Sequence, residues 1–169
     1  KINSKKVITA NISTINKTNR ATILSNQTLT IQTPEHLLAA LYSAGITHCI
    51  IECQSEEIPI MDGSALPFLT AIESAGTSPI HSSTDLAPIE INAPIVIEQN
   101  NQSISIFPSD NFRISYVLDL SQTFIGTQLF HYQHHSYASF KKEIAAARTW
   151  GLESEIEHLH ANGLAKGGS

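Results

Sequence analysis

Alternation of apolar and polar residues is plain in Ala21-Thr22-Ile23-Leu24 and again in Thr28-Leu29-Thr30-Ile31, with turn chemistry in Ser25-Asn26-Gln27 between them. This pattern predicts a β-hairpin. Residues 1–18 are polar with scattered Ile and Val, which predicts an extended segment and in part an edge strand. After the hairpin the period lengthens, and Leu37, Leu38 and Leu41 fall on one helical face. Thr33 is the predicted N-cap, Pro34 suits the first helical position, and Gly45 is the predicted stop. Thr47 to Cys53 reads as a buried strand, and the special residues of Glu57 to Ala65 read as a turn in which Pro59 and Gly63 set the backbone. Asp62 or Ser64 can cap a second helix over about 65–75 that buries Phe68, Leu69 and Ile72 and stops at Gly76.

Thr77 to Pro88 has linker composition, and beyond it the pattern starts over. Ile95 to Glu98 and Ser103 to Phe107 flank Asn100-Asn101 as a second hairpin, and Phe112 to Leu118 alternates strongly enough for a central strand. A weaker strand is expected over 126–133, a helix capped by Ser136 over 137–147, and a further helix over 152–161. Each half thus offers strands and then a helix. The expected class is α+β, with duplicated units that are each an antiparallel sheet packed with helices. The boundaries expected are 1–80 for the first unit, 81–88 for the linker and 89–169 for the second.

Composition narrows the partners. The 169 residues carry a net charge of −5 and no basic run, which argues against nucleic acid. No apolar run approaches the length of a membrane span and no secretory signal is visible, so a cytoplasmic location without stable membrane insertion is expected. Cys49 and Cys53 are four residues apart in the expected strand, at roughly 3.3 Å per residue too far to bridge, and read as small core residues. The chain opens on Lys1 and stops on Lys166-Gly167-Gly168-Ser169, as expected of an internal piece of a longer protein.

Candidate chemistry concentrates at the start of the first helix. Unpaired N–H groups in the first helical turn favour an ionised Glu35 and a neutral His36, the states wanted in a general base and a metal ligand. The simpler alternative is that Glu35 only complements the helix dipole. His131, His134 and His135 sit at a strand end with no acidic or cysteine partner nearby and read as a solvated turn. His158 and His160, two apart on a helix, point to different faces. Arg148-Thr149-Trp150-Gly151 joins two expected helices; locally, Trp150 reads as a core anchor and Thr149 as a cap.

Taken together, Thr33-Pro34-Glu35-His36-Leu37-Leu38-Ala39-Ala40-Leu41, Glu57-Ile58-Pro59-Ile60-Met61-Asp62-Gly63-Ser64-Ala65, Ala147-Arg148-Thr149-Trp150-Gly151 and the stretch from Gly163 to Ser169 resemble, in order and spacing, the UDP-3-O-acyl-N-acetylglucosamine deacetylases. Phe107-Pro108-Ser109-Asp110 and Ile125-Gly126-Thr127-Gln128 are most similar to the chlamydial branch. The resemblance implies a zinc-dependent amide hydrolase of the committed step of lipid A biosynthesis in Gram-negative bacteria. It implies a two-domain sandwich of ribosomal protein S5 domain 2-like units, here truncated at both ends. It further implies His36 as a zinc ligand, Glu35 as general base and Thr149 as the hydroxyl that stabilises the oxyanion. Trp150 stands where the family usually has phenylalanine, near the substrate, and Ile156, Ala165, Gly168 and Ser169 match the insert that forms the acyl passage. Asp62 reads as structural support. The family's other two zinc ligands, a His-x-x-x-Asp pair, and its acid histidine have no match in this chain, so the piece alone is expected to be inactive. The alternative from another class is a non-catalytic nucleotide-sugar-binding module with the same fold.

Overall fold

A computed structural model describes residues 7–18, 20–79 and 89–155, together with 157 and 161. The architecture is α+β, with three α-helices and antiparallel sheets among the described residues. By contact the chain divides into two compact units, Lys1–Thr77 with Ser136–Ser169, and Ser78–His135. The linker expected at 81–88 lies outside the described residues.

The first unit opens with a three-stranded antiparallel sheet of β1 (Ile15–Lys17), β2 (Ile23–Ser25) and β3 (Thr30–Gln32). The expected hairpin pairs Leu24 with Ile31 and Ser25 with Thr30. Its turn is held by the Asn26 side chain, whose Oδ1 accepts the N–H groups of Thr28 and Leu29, each at 2.9 Å. Leu24 is buried on the sheet. β3 continues into a backbone link with the segment ahead: Gln32 donates to the Glu56 carbonyl at 2.8 Å and accepts from Ile58 N–H at 3.0 Å.

Helix α1 (Glu35–Ser43) ends as expected at Gly45, which has φ +69°. The Ile46 N–H reaches back to the Leu41 carbonyl at 3.0 Å, which satisfies one of the last orphan acceptors. Its start differs from expectation. Thr33 is not the N-cap: Pro34 holds that position with no side-chain cap, and Thr33 adopts φ +58°. The Thr33 backbone is left-handed rather than extended as an N-cap requires, and its hydroxyl is turned to Glu57, donating to Oε1 at 3.1 Å.

Helix α2 (Leu66–Ala75) packs against α1, fully buries Leu69 and leaves Phe68 and Ile72 half-buried. Gly76 terminates it at φ +75°. Helix α3 (Tyr137–Glu143) starts on the expected Ser136 cap, where Ser136 Oγ accepts the Ser139 N–H and Ser139 Oγ accepts the Ser136 N–H. It ends four residues earlier than expected, because residues 144–146 turn and bury Ala145. α3 is tied to α2 through Glu73, whose carboxylate accepts from Lys141 Nζ at 2.8 Å and from Tyr137 Oη at 2.7 Å. The expected helix at 152–161 begins as a 3-10 turn (Glu153–Glu155), and most of its remainder lies outside the described residues.

Two further expectations are corrected here. Residues 47–53 form no strand, and Cys49, Cys53 and Ile50 are exposed rather than buried. The run has a strand's composition, but a strand exists only through a paired neighbour, and none of the described strands lies alongside it. Trp150 is 52% exposed and does not anchor a core.

The second unit holds two hairpins. β4 (Ile95–Gln99) and β5 (Gln102–Ile106) join through Asn100 and Asn101 at φ +50° and +60°, the paired left-handed residues of a type I′ turn. β6 (Arg113–Leu120) and β7 (Gly126–Gln133) pair along their full length, from Arg113 opposite Gln133 to Leu120 opposite Gly126. Among the described residues β6 has one neighbour, so it is not the central strand that its alternation suggested. The following helix, α3, groups with the first unit.

Candidate active site

Three sequence motifs meet in the first unit. Glu35 and His36 open α1 and are both half-buried. Glu35 Oε2 accepts the Thr22 N–H at 3.2 Å, while the Thr22 carbonyl accepts the Thr33 N–H at 3.0 Å. Both backbone groups of Thr22 therefore clamp the entry to the helix and orient the carboxylate. Thr33 itself is 8% exposed. A β-branched residue at positive φ is strained. The strain persists because three neighbours over-determine it: the Thr22 carbonyl, the Glu57 carboxylate and the fixed ring of Pro34.

The His36 ring presents Nδ1 buried and without a hydrogen-bond partner. A buried ring nitrogen left unpaired costs about 1–3 kcal/mol, and imidazole nitrogen is among the ligands that zinc takes. The donor set is the limit: no group of three or more His, Cys, Asp or Glu that could hold a metal occurs among the described residues. The described residues thus supply one ligand of the kind zinc takes and not a complete shell.

The second motif is the turn from Glu57 to Ala65. Met61 and Gly63 take φ +56° and +84°, and Gly63 N–H closes onto the Ile60 carbonyl at 2.9 Å. Asp62 Oδ1 accepts both the N–H and the hydroxyl of Ser64, at 3.0 and 2.8 Å. The Ser64 hydroxyl, seconded by its N–H and by Arg148, holds the Asp62 carboxyl below its ordinary range against an opposing burial cost. Ser64, fully buried, passes the link on by accepting the Leu66 N–H at 3.2 Å, which starts α2. Asp62 is thus occupied in shaping the turn, and its structural reading stands.

The third motif docks on the second. Arg148 Nε donates to the Asp62 carbonyl at 2.7 Å, and Thr149 N–H donates to the Gly63 carbonyl at 2.8 Å. The turn is therefore shared: one end carries Glu57, which holds Thr33 beside Glu35 and His36, and the other end carries Thr149. Trp150 follows with half its surface free. Nearby, Glu155 pairs with Arg20 at 2.5 Å. Ile156, Ala165, Gly168 and Ser169 lie outside the described residues. Thr22, Glu57 and Arg148 give no signal in the sequence as site-building residues, because each acts through a partner distant in sequence, and Gly63 signals only a special backbone.

The first unit thus carries a glutamate–histidine pair at the start of α1 and, on the same shared turn, the peptide of Thr149. The sequence matches the family described as UDP-3-O-acyl N-acetylglycosamine deacetylase over residues 1–169, and the chain belongs to that family. Proteins named UDP-3-O-acyl-N-acetylglucosamine deacetylase are similar to it: one from Saccharophagus degradans is 39% identical over 163 residues, covering 96% of this chain and 53% of that protein. One from Chlamydia muridarum is 39% identical over 166 residues, covering 98% of this chain and 57% of that protein. One from a Nostoc species is 37% identical over 164 residues, covering 96% and 59%. The chain spans a little over half the length of these curated relatives.

Proposed function

We propose that the polypeptide carrying this chain hydrolyses the N-acetyl group of UDP-3-O-acyl-N-acetylglucosamine, giving the free amine and acetate, in the committed step of lipid A biosynthesis in the cytoplasm. The observation that carries the proposal is the Glu35–His36 pair at the head of α1, with a buried, unpartnered ring nitrogen on His36, in a chain that belongs to the deacetylase family along its whole length. The parent fold is a two-domain sandwich of duplicated S5-like units, of which this chain holds parts of both.

His36 would be one protein ligand of a Zn2+ ion, and zinc when bound supplies Lewis acidity toward an amide carbonyl and acidifies water. Further ligands and a general acid come from outside this chain, so the 169 residues alone do not turn over substrate. Glu35, oriented by the Thr22 N–H, takes the proton from the attacking water. The Thr149 hydroxyl donates to the oxygen that gains charge as the carbonyl becomes tetrahedral, a role that pre-organisation makes effective. By the family resemblance Trp150 contacts the bound sugar nucleotide, and contact with its acyl chain is assigned to Ile156, Ala165, Gly168 and Ser169.

The test is acetate release by the full-length polypeptide. A chelator should abolish it and added zinc restore it. Glu35→Ala should lower kcat by about 10²–10⁴-fold, the usual range for losing a general base, with zinc content unchanged. Wild-type turnover in Glu35→Ala would remove this residue from the chemistry; substrate binding without acetate release in zinc-loaded wild type would make the protein a nucleotide-sugar-binding module.

A further inference from the structure

The turn at Asp62-Gly63 is rigid before anything docks on it. Its shape comes from two left-handed residues, Met61 and Gly63, from the Gly63–Ile60 backbone bond and from the grip of Asp62 on the fully buried Ser64. Two consecutive carbonyls of that turn, those of Asp62 and Gly63, each take a donor from two consecutive residues, Arg148 and Thr149. Two parallel attachments at adjacent residues fix both the position and the rotation of the peptide that carries Thr149.

A third contact concerns the side chain itself. A Cβ added at position 63 would meet Thr149 Cγ2 at 3.2 Å, with the Thr149 backbone nitrogen at 3.6 Å and Arg148 Cβ at 3.9 Å. The threonine methyl is therefore in tight contact with the place where a side chain at 63 would begin, and would have to shift by a few tenths of an ångström to admit one. Threonine is stiff at χ1, with its methyl and hydroxyl on the same Cβ in staggered positions. Once the amide is bonded and the methyl seated, the direction of the hydroxyl is set. Glycine at 63 meets two separate needs, a backbone at φ +84° and the close approach of Thr149.

We infer that Gly63 and Arg148 are positioning residues for the Thr149 hydroxyl, Gly63 acting through the methyl seat and Arg148 through its guanidinium bond to the Asp62 carbonyl beside the Thr149–Gly63 backbone bond. The inference rests on the deacetylase reading of Thr149 and adds to it the device that aims the group. Misplacing a catalytic group by about 1 Å can cost on the order of 10²-fold in rate, so a glycine with no polar side chain can matter to turnover.

The experiment is a double-mutant cycle on acetate release by the full-length, zinc-loaded polypeptide, with thermal unfolding measured for each variant. Gly63→Ala should lower kcat by about 10–100-fold with KM within about twofold. In the Thr149→Ala background, and in Thr149→Ser, which keeps the hydroxyl but lacks the methyl, the same change at 63 should cost at least about fivefold less than in wild type, because the methyl contact is gone and only the strain at φ +84° remains. An equal loss in all three backgrounds would mean general distortion and overturn the inference. Full activity in Gly63→Ala beside an impaired Thr149→Ala would also overturn it, while leaving the role of Thr149 intact. Full activity in Thr149→Ala would overturn both readings. If Gly63→Ala loses its cooperative unfolding transition, Arg148→Ala and Arg148→Lys in the same backgrounds complete the cycle. There, lysine should recover part of the loss, and amide exchange at Thr149 should speed up as kcat falls; exchange unchanged from wild type in an impaired Arg148→Ala would sink the idea.

Discussion

The two units of this chain are held together by different means. In the second, contacts are between neighbours along the chain: β4 with β5 across a two-residue turn, β6 with β7 across a five-residue one. In the first, the defining bonds cross long stretches of sequence: Thr33 to Glu57, Asp62 and Gly63 to Arg148 and Thr149, Glu73 to Tyr137 and Lys141, Arg20 to Glu155. The candidate chemistry lies wholly in the cross-tied unit. A catalytic group needs to be held against displacement, and ties from distant segments over-determine its position in a way that one hairpin cannot.

The largest effect that tests this contrast is a cut into the core of the first unit. Leu69 is fully buried, so Leu69→Ala should destabilise by about 2–5 kcal/mol in urea unfolding. Val117, 61% exposed on β6, should change stability by no more than about 0.5 kcal/mol when made Ala in this 169-residue chain. Similar losses at the two sites would erase the distinction.

The contrast also explains what could be read from the sequence. The hairpins at 23–32 and 95–106 are legible because Asn26, Asn100 and Asn101 are local turn residues and alternation fixes register. The ends of α1 and α2 were legible from Gly45 and Gly76, and the start of α3 from Ser136. Thr33 misled because a cap is predicted from the residue type, while its backbone is left-handed and its hydroxyl is turned to Glu57, 24 residues on. Residues 47–53 misled because strand composition says nothing about whether a partner strand lies alongside. Glu35, His36 and Thr149 stand as candidates through motif order. The turn that joins them was seen as special, but its partner lay 86 residues away and only the folded chain shows it.

A smaller change probes the local side of the comparison. Asn101 sits at φ +60°, where glycine carries no Cβ penalty, so Asn101→Gly should stabilise the β4–β5 turn by a few tenths to about 1 kcal/mol. Hydrogen exchange should slow at β4 and β5 and stay unchanged at Thr149. Slowing at both places would show the units to be coupled.

The smallest expected effect lies at an exposed tie between helices, and pH separates its two halves. Lys141 chiefly, then Tyr137, holds the Glu73 carboxyl below its ordinary value of 4.5, against an opposing burial cost. Burial first, then the neighbouring Glu73 carboxylate, pushes the Tyr137 phenol up to about 12 from 10.0. A carboxylate whose folded value is lowered adds stability that is present above 4.5 and is lost as pH falls through the folded value. A phenol whose folded value is raised adds stability that is full below 10 and is lost as pH rises toward 12. The tie between α2 and α3 should therefore be strongest on a plateau between these limits and weaken at both ends. The Tm difference between wild type and Glu73→Gln should carry the acid limb, and that between wild type and Tyr137→Phe the alkaline limb. Glu73 and Lys141 face solvent, where screening keeps ion pairs weak, so the shifts in Tm should be small and the acid limb should shrink further in high salt. A Tm difference that grows with salt, or that is flat in pH for both variants, would mean that packing of Phe140 and Ala145 alone holds α3 in place.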